Sequence, residues 1–317
     1  MSIKKIIKAP LLFIYRFGLK TFGGLGLQKI WPFGVIRDWL SDVVRKYDKP
    51  RSVVFRGQTI FLDPNDNLEL SVWGERHAAS REIGLMESIL KLGDTAVDVG
   101  ANIGLMTLFM AKATGSTGRV FAFEPEPENF NLLQKNIAAN AYKNVTVVPV
   151  AVLDHPGTLK LFLSDFNPGD HRIYDPKERT KDWGKNGAVY DKLIEKRTAI
   201  DVPVIALDEY FSNYKKPVAF IKMDVQGAEG GVLKGMTGIL KKYPHVKILT
   251  EFWPAGQKMF GVDAGEFLTM LEDFGFSFYE VEDYSTKNSA SKNFLLQKYT
   301  VLNNKSGNLL VTRESIR

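Results

Sequence analysis

Cysteine is absent from all 317 residues. That excludes disulfides and thiolate metal sites, and it fits a reducing compartment. Histidine is scarce: His77, His155, His171 and His245 are the four present, and they show no paired metal-ligand spacing. No apolar run reaches the roughly 18–20 residues that a membrane-crossing helix needs. A signal peptide fits poorly, because no small-residue cleavage site follows a clean apolar block. Internal repeats and low-complexity tracts are also missing.

What the chain has in quantity is apolar residues, 44% of the total, enough for one large α/β domain with additions or for two small domains. Its net charge of +6 is unevenly placed. Residues 1–46 carry nine Lys or Arg against Asp38 and Asp42, a balance of +7, whereas the rest of the chain is nearly neutral. A nucleic-acid enzyme more often spreads cations around its cleft, so no nucleic-acid partner is expected. Within this basic segment Ile3, Ile6, Ile7, Leu11, Phe13, Phe17, Phe22 and Trp31 alternate with the cations. Such an arm either lies in the headgroup region of an anionic bilayer, or docks on its own domain or on a twin subunit. The expected location is cytoplasmic, with the first alternative placing the chain at the inner face of the membrane; oligomerisation stays open.

Hydrophobic periodicity predicts a helix over 36–47, a hairpin of 52–55 and 59–62, and a helix over 81–92. Then strands and helices alternate: strand 95–99, helix 103–113, strand 120–123, helix 128–140, strands 145–149 and 158–163. After a polar stretch, strand 218–223, helix 230–242, strand 248–252, helix 264–274 and strands 277–282 and 308–311 follow. This pattern predicts a mostly parallel, twisted sheet with helices on both faces. Residues 164–200 break it, and a loop of that length reads as a lid or an insert.

The string Asp98-Val-Gly100-Ala101-Asn102-Ile-Gly104 joins a buried strand to a helix, and Glu124-Pro125 ends the next strand about twenty residues later. Such a unit holds the ribose and charged tail of a nucleoside cofactor. Asp98 at the strand end would repel a diphosphate and attract an ammonium-bearing tail, which favours S-adenosylmethionine over a dinucleotide. Gly100 would let the cofactor approach the backbone closely, and Asn102 offers a donor and an acceptor. Glu124 would take both ribose hydroxyls, and Ala151 would border the adenine. Asp154, in Asp-His-Pro-Gly, reads as a turn residue.

These strings, with Trp73-Gly-Glu75, Asp165–Tyr174, Ile221-Lys-Met-Asp224-Val-Gln-Gly-Ala-Glu229 and Leu233-Lys-Gly, resemble the FkbM family of S-adenosylmethionine-dependent methyltransferases over roughly residues 50–312. The resemblance implies a class I methyltransferase fold, a Rossmann-like seven-stranded sheet. It also implies methylation of a hydroxyl on a sugar, polyketide or similar small acceptor. The organisation expected is a basic extension (1–46), a hairpin and cap (47–80) and a methyltransferase domain (81–317) with its insert at 164–200.

Methyl transfer requires alignment of the acceptor oxygen and removal of its proton. Asp224, at the carboxyl end of the fourth strand, is the first catalytic candidate, and His171 is the second. Asp170 and Arg172, with Asn167, could grip a polyol. Glu229 and Glu251 could join Asp224 in a carboxylate cluster suited to Mg²⁺, although strand-end carboxylates equally face solvent, and no metal is assigned. Trp253 offers a wall for a sugar ring or packs the sheet edge. Glu82 and His77 read as surface residues. The preferred acceptor is a glycan or lipid-linked saccharide; the rivals are an RNA or protein methyltransferase and a non-catalytic adenosine-binding module.

Overall fold

The computed structural model describes residues 51–62, 78–164, 169–175, 197–282 and 288–314. The basic arm, the helix expected over 36–47, Trp73-Gly-Glu75, His77, Asn167 and most of the insert lie outside them. Strands β1 (Arg51–Phe55) and β2 (Gln58–Leu62) form the expected hairpin. Its two-residue turn, Arg56-Gly57, has positive φ at both positions (47° and 84°), the geometry that matches strand twist.

Helix α1 (Ala78–Ile89) leads into β3 (Thr95–Val99), α2 (Leu105–Thr114), β4 (Arg119–Phe123), α3 (Pro127–Ala139) and β5 (Val145–Val148). Three further strands, β6 (Ala151–Leu153), β7 (Gly157–Leu163) and β8 (Thr198–Ala206), form a separate sheet in the order β6-β8-β7. The chain returns through α4 (Leu207–Tyr210), β9 (Val218–Met223), α5 (Glu229–Lys234), α6 (Thr237–Lys242), β10 (Lys247–Phe252), α7 (Pro254–Phe260) and α8 (Ala264–Asp273). It finishes with β11 (Ser277–Glu280), α9 (Lys292–Lys298) and β12 (Gly307–Thr312).

The main sheet has seven strands in the order β11-β12-β10-β9-β3-β4-β5. All neighbouring pairs from β10 to β5 are parallel, and β12 runs antiparallel between β10 and β11. This is the Rossmann-like class I arrangement that the resemblance implies. Strand order reverses between β3 and β9, and such a switch point opens a crevice beyond the carboxyl ends of the two strands.

Strand alternation sorts side chains onto two helical layers. Val97, Val99, Phe121, Phe123, Ile221 and Met223 face the layer containing α5, α6 and α8. Ala96, Val120, Ala122, Phe220 and Leu249 face α1, α2 and the hairpin. The hairpin is held to α3 by side chain to backbone hydrogen bonds: Asn140 Oδ1 accepts from Thr59 N at 2.8 Å, and Asn136 Oδ1 from Phe61 N at 2.6 Å.

Two expectations differ from the structure. The helix predicted over 230–242 is two helices, separated at Gly235-Met236. A Cβ on Gly235 would stand 1.9 Å from the Leu153 carbonyl oxygen, so backbone packs on backbone there. The second helix is capped from outside, by Asp208 accepting from Gly238 N (2.7 Å) and Ile239 N (2.8 Å). Strand β8, which was not expected, begins inside the supposed insert and holds Pro203, with Val202, Val204 and Ala206 alternating inward.

Asn136 gives a direct test of the hairpin's attachment. Its fully buried amide also donates to Ile103 O at 2.7 Å and Phe61 O at 3.2 Å. Asn136→Ala should cost about 2–4 kcal/mol in urea denaturation, because buried backbone groups lose their partners. A change below about 0.5 kcal/mol would show that the hairpin is held by apolar packing alone.

Candidate active site

The crevice at the switch point is a cleft of about 580 Å³, counted out to its open mouth. Its floor and walls come from the ends of β3 (Val99, Gly100, Asn102), β4 (Phe123, Glu124, Pro125), β6 (Ala151, Val152) and β9 (Asp224, Val225, Gln226). Gly169, His171 and Ile173 close one side. No Lys or Arg is among the described residues that line it.

Backbone contacts shape the glycine turn. Asp224 N donates to Val99 O at 3.1 Å, and Phe123 O accepts from both Gly100 N and Ala101 N. A Cβ on Gly100, at φ 76°, would stand 2.0 Å from Asp224 O. The close approach expected between Gly100 and a cofactor is thus already made by the protein's own β9 end, although Gly100 also lines the cleft. Gly104 serves helix packing, since a Cβ there would stand 2.3 Å from Leu133 Cδ1. Ala101 is buried and, like Gly104, does not line the cleft.

Glu124 ends β4 at the cleft wall. Its Oε2 accepts from Asn102 N at 2.7 Å and its Oε1 from Glu126 N at 2.9 Å. Each oxygen keeps acceptor capacity for one more donor, as a ribose diol requires. Burial pushes this carboxyl up to about 7, against the pull of the two backbone donors.

Asp98 needs correction. It was expected at the pocket edge, facing the cofactor's charged tail, but it is fully buried and does not line the cleft. Strand alternation turns it with Ala96 toward α2, where Oδ2 accepts from Thr107 Oγ1 at 2.6 Å and Oδ1 has no hydrogen-bond partner. Burial raises its pKa. Its in-register neighbour on β9 is Lys222, a residue that sequence reasoning passed over. The signal was there: a lone cation inside the apolar run Val-Ala-Phe-Ile-Lys-Met.

Lys222 Nζ donates to Asp224 Oδ2 at 3.3 Å, and Gln226 Nε2 donates to Asp224 Oδ1 at 2.9 Å. Burial alone would lower the Lys222 ammonium; Asp224, Asp98 and Glu82 overcome it and raise its pKa. Glu82, expected to be a plain surface residue, is tied to β12 by Asn308 Nδ2 at 2.6 Å, and burial pushes it up to about 7. The Asp224 side chain is 41% exposed, so of the charged residues in this group it is the one that opens into the cleft, beside Gln226.

His171 lines the cleft, and its Nδ1 accepts from Ser164 N at 3.0 Å. Nε2 then carries the proton, so the neutral ring offers a donor and not a base. Burial, then Arg197, holds it down to about 4, so it is neutral at pH 7. Asp170 and Arg172 do not line the cleft. Asp170 is clamped between Arg172 Nε (2.7 Å) and Arg197 Nη2 (2.6 Å), and Arg172 lies over the Trp253 ring at 4.9 Å. Arg172 also exchanges backbone hydrogen bonds with Phe162, and Tyr174 OH donates to Gln226 O at 2.8 Å. Residues 169–175 are therefore a fastened wall.

Glu229 and Glu251 also lie behind the cleft lining. Glu229 Oε1 accepts from Val225 N (3.0 Å) and Gly227 N (3.2 Å), shaping the turn that presents Asp224 and Gln226. Burial pushes Glu229 up to about 7, and burial, then Asp224 and Glu229, raises Glu251. Among the described residues no three acidic or histidine side chains are placed to hold a metal ion.

The methyltransferase FkbM domain family matches residues 98–278. Methyltransferase sdnD of Sordaria araneosa is 31% identical over 162 residues, covering 44% of this chain and 59% of the relative. Methyltransferase 1 of Beauveria bassiana (strain ARSEF 2860) is 30% identical over 144 residues, covering 44% of this chain and 57% of the relative. The chain thus spans less than two-thirds of the length of either curated relative. The crystal structure of methyltransferase FkbM from Methylobacillus flagellatus KT is 13% identical, with 89% of this chain and 60% of that one covered at a TM-score of 0.38.

The raised carboxyls set a pH dependence. Glu124 and Glu229 titrate at about 7 when folded, against a reference value of 4.5. Below 4.5 both states are protonated; through the interval the folded state holds the extra protons, so stability is lost as pH rises. The ligand-free protein should be less stable at pH 8 than at pH 5.5 in urea, by about 2 kcal/mol per group. Glu124→Gln should flatten the slope, and a wild-type stability that climbs over this interval would contradict the assignment.

Proposed function

The chain belongs to the FkbM methyltransferase family, and we propose that it transfers a methyl group from S-adenosylmethionine to a hydroxyl oxygen of a sugar, glycan or related small acceptor. One observation carries the reading: the Glu124 and Asp224 carboxylates open into the same cleft, from strand ends on either side of β3. The cleft residues fit that cofactor. Glu124 has acceptor capacity left for a ribose diol, Phe123, Val150, Ala151 and Leu161 supply an apolar slot for a flat base, and Asn102 supplies polar atoms for the amino-acid tail.

The cofactor supplies an electrophilic methyl on a sulfonium. Asp224 orients the acceptor hydroxyl: Lys222 and Gln226 fix its two oxygens, and each retains acceptor capacity toward the cleft. Asp224 would accept the proton that the hydroxyl gives up as its oxygen takes the methyl and the carbon–sulfur bond breaks to leave the thioether. His171 donates from the opposite wall and holds a second acceptor or cofactor oxygen. The absence of lining cations among the described residues disfavours a phosphate-rich acceptor beside the transferred methyl. The same lining supports a neutral acceptor over RNA.

The basic arm supports a further part of the reading. Its balance of +7 and its interleaved aromatics suit the surface of an anionic bilayer, where lipid-linked saccharides are found. No described helix is long and apolar enough to cross a membrane.

Two measurements test this. With methyl-labelled cofactor and fractionated cell extract, Asp224→Asn should reduce label transfer roughly 10²–10⁴-fold while S-adenosylhomocysteine binds within about threefold of wild type; unimpaired transfer would remove Asp224 from the chemistry. Deleting residues 1–46 should abolish sedimentation with anionic liposomes. Equal sedimentation with and without the arm would end the membrane reading.

A further inference from the structure

Strand alternation places a polar strip on the α1–α2 side of the sheet, directly beneath the cleft floor. Asp98 on β3 stands beside Lys222 on β9 in register. Lys222 is in register with Leu249 on β10, which puts Glu251 two residues further along the same face. Glu251 in turn pairs with Asn308 on β12, whose side chain holds Glu82 of α1. The strip therefore crosses four adjacent strands and is covered by a helix.

Its charges are unbalanced. Among the described residues, Lys222 is the cation that acts on both Asp98 and Glu82; it also pairs with Asp224 and acts on Glu251. Lys222 is 7% exposed and Asp98 is not exposed at all. Asp98 Oδ1 and Glu251 Oε2 are buried without a hydrogen-bond partner. A buried strip with more acid than base attracts protons or an additional cation, because desolvation penalises each unneutralised carboxylate.

We propose that Lys222, Asp98 and Glu82 form a charge-responsive floor that favours the sulfonium form of the cofactor over its demethylated product, with Lys222 as the positioning residue that ties Asp224 to it. The inference rests on the cofactor reading above. A cation held in the cleft is attracted by the ionised floor across a low-dielectric gap, whereas the thioether product is not. Once the methyl has left, that attraction is gone, and the proton released by the acceptor hydroxyl to Asp224 has neighbouring carboxylates to share it. The floor thus opposes product retention.

The charged and titratable groups that face Lys222 are Asp98 of β3, which Thr107 of α2 hydrogen-bonds, Glu82 of α1, Asp224 just past its own strand and Glu251 of β10, with Glu229 behind Asp224. Glu124 also titrates near 7, but it faces the ribose end that sulfonium and thioether share. The affinity ratio of the two forms therefore sets Glu124 aside, and Glu82→Gln separates the floor from Glu229, which also titrates near 7. As Glu82 ionises through about 7 the ratio should rise with pH.

Calorimetry of the full chain with S-adenosylmethionine and with S-adenosylhomocysteine at pH 6, 7 and 8 reads this directly. In wild type the preference for the sulfonium form should increase roughly three- to tenfold across the interval, up to one pKa unit of coupling. Glu82→Gln should reduce the increase below about twofold. Lys222→Arg should retain it and Lys222→Met should alter it, which a merely space-filling lysine would not do. A ratio flat with pH in wild type, or a wild-type slope unchanged in Glu82→Gln, overturns the proposal, and the wild-type series decides even if a variant fails to fold. Failure of both compounds to bind would instead overturn the cofactor reading.

Discussion

Everything at the site follows from the crossing of two strand ends. Asp224 N donates to Val99 O, and Gly100 leaves only enough room for the Asp224 carbonyl beside it. This contact joins β3 to β9 where strand order reverses, and it sets the separation between the wall that carries Glu124 and the turn that carries Asp224. Any side chain at position 100 would force the two backbones apart. The positive φ of that residue adds a second reason for glycine.

Around that crossing the protein keeps an unusual number of carboxyls out of water. Backbone donors stabilise some of them: Glu124 ties the turn after β3 to the turn after β4, and Glu229 organises the turn after β9. These acids build loops first and meet ligands second. The same division holds on the far wall, where Arg172 and Arg197 clamp Asp170 between them and leave His171 to face the cleft. Rigid support of a few exposed polar groups is what a site needs if it is to hold two reactants in line.

Much of the fold was legible in the sequence because the parallel strands are buried on both faces and read as apolar runs separated by helical periods. Strands 95–99, 120–123 and 218–223 coincide with β3, β4 and β9 nearly to the residue. The elements that escaped depend on partners distant in sequence. β8 tolerates Pro203 within a three-stranded sheet, α6 begins where Asp208 caps it, and α7 and α9 are single short helices with little periodicity to detect. Among site residues, Glu124 and Asp224 were legible as strand-end acids following recognisable strings. Lys222 was visible as a cation in an apolar strand but had no assigned task until its neighbours were known.

By itself the sequence determined which residues end strands, where the glycine turn falls and that an acid follows each of two strands, since these depend on local period and backbone freedom. Only the tertiary structure decided which way each acid points. Asp98, Asp224, Glu229 and Glu251 are alike as strand-end acids, yet Asp98 and Glu251 lie under the floor, Asp224 opens into the cleft and Glu229 sits behind it. The reason is geometric: strand register sets which residues share a face, and whether that face meets solvent, helix or cation at a given point is settled by segments far away in the chain.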